Sequence, residues 1–244
     1  MNIGDTYKNK AGIEMTVVEI NNSKDIVIEF KSGYRKRTTS SHVVTGRIKD
    51  KLSPSIFGVG IIGDGAHSTT SNSRETKAYK TWKGVLQRCY YKCESSNLDL
   101  SYQGCEVCDE WLNFQNFAEW FNKNHPMDGS SYQLDKDIKV IGNKVYSPEF
   151  CMIIKTRANQ LIKEKSKVTL NETIGVHFCK DRMKYVSSAS SESSKKRKIK
   201  RFASKDDAYN YYISGKVCDI NHMFNDGEID NELRLMLINK VKSL

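Results

Sequence analysis

The run Leu134-Asp135-Lys136-Asp137 sets two carboxylates either side of a lysine at the entrance to an apolar segment. Beyond it come a turn at Gly142-Asn143, then Val145-Tyr146, a Ser147-Pro148 break with Glu149 behind it, and a segment that ends in Arg157 and Asn159. A hairpin-like ribbon carrying carboxylates, followed by a segment with polar residues, outlines a small metal-dependent nuclease site. Hydrolysing a phosphodiester with one metal needs a carboxylate to hold Mg²⁺ on the scissile phosphate, a base to deprotonate water, and polar groups to orient both. The competing reading is that Asp135 and Asp137 cap turns or pair with nearby lysines.

A second group is built from thiols. Cys89 and Cys93 are followed by Cys105 and Cys108, a spacing from which four thiolates could assemble a tetrahedral zinc site. The alternative is that Cys89 and Cys108 pack as small hydrophobes. Seven cysteines in all is an odd count, which in a reducing compartment favours core residues or metal ligands over disulfides.

Helical segments must position these groups. Ala78, Trp82, Val85, Leu86, Cys89 and Cys93 recur at steps of three and four, the stripe of a helix, with Lys77, Lys80, Lys83, Gln87 and Arg88 on its other sides. From Asn113 onward Phe114, Phe117, Trp120 and Phe121 give a second, aromatic helix. The block resembles the phage-borne HNH homing-endonuclease-like proteins. The resemblance is carried by Trp82, Val85 in place of a methionine, Arg88, Cys89 and Tyr90; by Tyr102, Gly104, Val107, Cys108, Trp111, Phe114 and Phe117; and by Leu134 to Asp137, Gly142, Asn143, Tyr146, Ser147, Pro148 and Cys151. It implies a ββα-metal-like domain acting on duplex DNA with Mg²⁺ or Mn²⁺. Within it Asp135, joined by Asp137, is the metal ligand and Lys136 stands where the wider pattern has the histidine base. Glu149 and Asn159 are supporting polar groups, and Phe150 occupies the position of an asparagine. With two ligands missing, the alternative is a catalytically inactive DNA-binding protein, regulatory or directed against host defences, that keeps the nuclease shape.

Upstream, β-branched runs at Thr16 to Ile20 and Ile26 to Phe30, with Tyr34 to Thr39 after a Ser32-Gly33 turn, predict a small antiparallel barrel or curled sheet over residues 1–52. Its role could be scaffolding or capture of a protein partner. Residues 53–73, rich in Gly, Ser, Thr and Asn, read as a linker to the central domain at 74–162.

Downstream, residues 168–244 read as three short strands and a helix. The strands fall at Ile174 to Phe178, Lys184 to Ala189 and Ile199 to Phe202, with a serine-rich loop after Ser187, and the helix is capped by Ser204. This order resembles the plant APETALA and ethylene-response-factor DNA-binding domain, on the strength of Ile174-Gly175-Val176, Lys184-Tyr185, Phe202, Ala208 and Tyr212. That family lays its sheet in the major groove. The tail from Glu228 reads as a closing helix.

Charge points the same way. The chain carries +10 over 244 residues, and the stretch from Lys163 to Arg201 holds twelve Lys or Arg against four Asp or Glu. Such clustering favours a polyanion and argues against acidic substrates. The expected DNA contacts are Arg88, Arg157, Lys180, Arg182, Lys184, Arg197, Lys198, Lys200 and Arg201, the alternative for Lys195 to Lys198 being a solvated loop or a localisation-like run. No apolar run is long enough to span a bilayer and the first residues lack a signal-peptide core, so a soluble, intracellular chain is expected, phage-encoded and acting in the host cytoplasm if the resemblance holds. The fold class expected is α+β with three modules.

Overall fold

The computed structural model describes residues 1–91, 102–162 and 173–243. Over these the chain is mixed α+β, with several small sheets. It divides into two compact units, one of Met1–Glu94 with Glu106–Lys123 and one of Ser95–Cys105 with Asn124–Leu244.

The first unit opens with strands β1 (Thr6–Lys8), β2 (Glu14–Asn22), β3 (Asp25–Phe30) and β4 (Arg35–Thr38), antiparallel in that order. In β3 Ile26, Ile28 and Phe30 are buried while Asp25, Val27 and Glu29 are not, the alternation that a pleated strand imposes. They pack with Met15, Val17, Tyr34 and Ile48, and with Val43 from α1 (Ser40–Val44), which Thr39 caps. The sheet stays open, and no closed barrel forms among the described residues. Its outer strands are too short for the tilt and stagger that closure demands. On the exposed side Arg35 pairs with Glu29 and Arg37 with Asp25 and Glu19, so β4 presents charge along an edge.

Residues 53–73 are anchored, unlike the free linker their composition suggests. Ile61 N–H donates to Leu112 O, Phe114 N–H donates to Ile61 O, and the Gln115 amide donates to Ile62 O and His67 O. After the two-residue strands β5 (Thr70–Ser71) and β6 (Arg74–Glu75), Thr76 caps α2 (Lys77–Tyr90). Its buried face is Ala78, Trp82, Val85 and Leu86. Following β7 (Glu106–Val107) and α3 (Asp109–Leu112), α4 (Phe114–Asn124) buries Phe114, Phe117, Ala118 and Phe121. Trp82 Nε1 donates to Trp111 O at 2.6 Å, which satisfies the polar atom of this buried indole, while the equally buried Trp111 Nε1 has no hydrogen-bond partner among the described residues.

In the second unit β8 (Tyr132–Asp135) pairs antiparallel with β10 (Met152–Lys155), Asp135 lying opposite Met152. Between them the connection contains β9 (Val145–Tyr146), and α5 (Thr156–Ile162) starts at the residue after β10. Strands β11 (Val176–Cys179), β12 (Lys184–Ser191) and β13 (Ser194–Phe202) form an antiparallel sheet in sequence order. Helices α6 (Lys205–Asn225) and α7 (Asn231–Lys242) follow, capped by Ser204 and Asp230. One apolar core joins Ile138, Ile154, Ala158 and Ile162 to Ile220, Met223, Leu237 and Val241. The core therefore runs across the boundary that composition placed between residues 162 and 168.

The expected serine-rich loop is strand instead. Only Glu192 and Ser193 lie between β12 and β13, because the serine hydroxyls find partners inside the fold: Ser187 donates to Gly175 O, and Ser190 to Gly215 O and Asp219. Among the described residues no helix is long and apolar enough to cross a membrane.

Candidate functional site

The acidic cluster stands where β8 runs out. Strand alternation puts Gln133 and Asp135 on one face of β8, and the Asn159 amide on α5 donates to Gln133 Oε1 at 2.7 Å. Asp135 turns its Oδ1 onto the chain ahead, accepting from Asp137 N–H at 3.0 Å and Ile138 N–H at 2.9 Å. Burial pushes the Asp135 carboxyl up from the ordinary aspartate range and the Asp137 carboxylate adds to this, while the two N–H donors pull the other way. Two partly buried carboxylates therefore share a small volume.

Cations already answer them. Lys136, almost fully buried, places Nζ 3.4 Å from Asp137 Oδ2 and donates to Asn143 O at 2.7 Å. Lys240 of α7, equally buried, places its own Nζ 3.5 Å from the same Asp137 oxygen. The Asn143 side chain closes the loop by donating to Lys136 O and Val145 O and accepting from Val145 N–H. Glu149 is exposed; Lys139 donates to its backbone oxygen.

A divalent ion does not fit this donor set as it stands. One Asp135 oxygen is spent on two backbone donors and one Asp137 oxygen lies beside two ammonium groups. Among the described residues no three His, Cys, Asp or Glu side chains gather as metal ligands. The Lys136 ammonium is held between Asp137 Oδ2 and Asn143 O.

For the thiol group, Cys93 lies outside the described residues. Cys105 is buried, while Cys89 and Cys108 are half-buried, and burial pushes the Cys108 thiol up.

The cationic candidates divide sharply when placed on the sheet. Ala189 faces α6, since a Cβ built on Gly215 would lie 2.4 Å from the Ala189 Cβ. Cross-strand partners share a face, so Val176, Phe178, Tyr185, Ser187, Lys198, Lys200 and Phe202 fall on the α6 side with Ala189. Consistent with this, the Phe202 and Tyr211 rings lie 5.4 Å apart and Lys200 Nζ sits 4.8 Å over the Tyr211 ring. Arg197 also bends to α6, with its guanidinium 3.6 Å from Asp219 and donating to Ser188 O. Lys195 pairs with Asp226, and this bond holds the Asp226 carboxyl below the usual range.

The opposite face carries His177, Val186, Ser188, Ile199 and Arg201 by the same register, and Cys179 with Lys184. His177, Lys184 and Arg201 are exposed, as are Lys180 and Arg182 on the 3₁₀ turn joining β11 to β12. The exposed Lys180, Arg182, Lys184 and Arg201 are in no ion pair among the described residues. Arg157 is different again: its guanidinium donates to Glu228 at 2.9 Å, and Lys155 approaches the same carboxylate at 3.7 Å. Arg88 is half-buried in the last turn of α2, in the first unit.

Sequence reading missed Lys240, whose place beside Asp137 arises from packing between segments a hundred residues apart. It also missed the pairing of His177 with Arg201 across Val186, a signal that strand alternation does contain. Set against known protein families, curated proteins and solved structures, the chain matches none.

Proposed function

We propose that the protein binds duplex DNA through the face of the β11–β12–β13 sheet turned away from α6, and that its HNH-like part serves as a platform for that face. The observation that carries this reading is the sorting of charge. Lys195 and Arg197 are paired with Asp226 and Asp219 of the α6 segment, whereas Lys184, Arg201 and the turn residues Lys180 and Arg182 are exposed and in no ion pair among the described residues; Lys198 and Lys200, also unpaired there, fall on the α6 side. A row of unneutralised cations on a flat, β-structured surface suits a phosphate backbone, and a two- or three-stranded ribbon fits a major groove. The resemblance to a sheet-reading DNA-binding domain agrees with it. Fluorescence anisotropy with labelled duplex tests it: the wild-type chain binds with steep salt dependence, and a Lys184→Ala/Arg201→Ala variant loses most of the affinity. Undiminished binding by that variant would refute the assignment.

A second reading, metal-dependent hydrolysis of the DNA backbone, rests on the partly buried pair Asp135 and Asp137 and on the raised pKa of the former. Lys136 and Lys240 argue against it, since their ammonium groups lie 3.4 and 3.5 Å from the same Asp137 oxygen and already offset its charge. Supercoiled plasmid incubated with protein and Mg²⁺ or Mn²⁺ separates the two. Nicking that disappears in Asp135→Asn favours hydrolysis, and intact plasmid alongside tight binding favours the platform.

A further inference from the structure

The cationic face also carries an apolar side chain that a purely electrostatic surface has no use for. Ile199 lies mid-strand in β13 opposite Ser188 and two residues from Arg201, which is opposite Val186. It is 68 % exposed, among the most exposed large apolar residues of the described chain. A bare isoleucine amid Lys and Arg neither neutralises phosphate nor contributes to the core. In a polynucleotide groove the apolar group available to meet it is the thymine 5-methyl, which lines the major groove and is a standard contact for aliphatic side chains. The charge around it selects the class of partner, because Arg201 and Lys184 on the same face favour a polyanion over an apolar peptide.

We infer that Ile199 is a specificity-determining residue that reads thymine methyl groups in the major groove, giving the protein a preference for sites with a thymine under β13. The inference rests on the proposed duplex binding by this face. Arg201 and Lys184 hold the backbone on either side, and Ile199 loses water-exposed surface only where a methyl meets it. Burying one methyl-sized group changes an equilibrium about fourfold, and two such contacts about fifteenfold.

The test compares two alternating A·T duplexes of identical sequence, one with thymine and one with deoxyuridine throughout, which removes only the 5-methyl. Wild-type protein is expected to bind the thymine duplex at least about fourfold more tightly. The Ile199→Ala chain should bind both equally and match wild type on the deoxyuridine duplex. The substitution removes an exposed side chain, and circular dichroism verifies that the variant is folded. Equal affinity of the wild type for the two duplexes, or an unchanged ratio in Ile199→Ala, overturns the inference while leaving duplex binding intact. Failure to bind either duplex overturns the binding assignment itself.

Discussion

If the sheet face is the contact surface, the salt dependence of binding should report how many of its cations meet phosphate. Four exposed cations are available there: Lys180, Arg182, Lys184 and Arg201. Each phosphate neutralised contributes about −0.9 to the slope of log K against log salt, so four give about −3.6. Between 50 and 200 mM salt that slope lowers affinity about 150-fold. Removing Lys184 and Arg201 leaves a slope of about −1.8 and a loss over the same range of only about twelvefold. The opposite change, Lys195→Ala with Arg197→Ala, takes away cations that Asp226 and Asp219 already hold, and the slope should stay within about 0.5 of wild type. Anisotropy titrations of labelled duplex at several salt concentrations measure all three slopes. The reasoning is refuted if the helix-side pair lowers the slope as much as the open-face pair does, because the surface would then act as diffuse charge with no sorted face.

Other consequences concern the acidic cluster and the packing beneath the sheet. Asp135 is held above the ordinary carboxylate pKa by burial and by Asp137, so its ionised form costs stability above its folded pKa, and that cost is relieved as pH falls toward the unfolded value. Asp135→Asn keeps the acceptor for Asp137 N–H and Ile138 N–H, and should raise stability by about 1 kcal/mol at pH 7 with the gain fading near pH 4, as urea melts at both pH values would show. Lys240→Met leaves Asp137 with one ammonium neighbour fewer beside Asp135 and should cost about 2 kcal/mol in the same assay at pH 7. Lys216 is 4 % exposed, and burial, reinforced by Arg197 and opposed by Asp219, lowers it to about 8. Its folded pKa lies below the unfolded one, so its protonated form costs stability below pH 8 and the cost disappears on the way to pH 10. Wild type should therefore gain about 2 kcal/mol relative to Lys216→Met across that interval. Gly215→Ala drives a methyl into Ala189 and should destabilise by about 2 kcal/mol, read as a lowered melting temperature.

Local signals in this chain were legible where one segment suffices to define them. The stripe Ala78, Trp82, Val85, Leu86 gives α2, the serine at 204 with two aspartates behind it gives the start of α6, and the alternation Ile26, Ile28, Phe30 gives β3. Composition misled where polar residues fold into structure. Ser187 to Ser194 look like a loop because hydroxyls compete with ladder hydrogen bonds, yet Ser187 and Ser190 aim theirs at Gly175 O, Gly215 O and Asp219, and β12 continues to Ser191 with a register shift only between Ala189 and Ser191. Residues 53–73 look like a linker because they are rich in glycine and serine, but their backbone is bonded to Leu112, Phe114 and Gln115, residues some fifty positions on.

The candidate site was legible by type and illegible by partner. Nothing in Asp135-Lys136-Asp137 says that a lysine a hundred residues away will sit 3.5 Å from the second aspartate, and that contact decides whether the motif presents open carboxylates or a neutralised cluster. The same holds on the sheet. Net charge counts Lys195, Arg197 and Arg201 alike, but the register directs Arg201 away from α6, while Asp219 and Asp226 of the α6 segment take Arg197 and Lys195. A run of cations thus becomes a surface only after the helix has claimed its share. That surface keeps an isoleucine, Ile199, among its charges, and the register that sets Arg201 on the face away from α6 sets Ile199 there too.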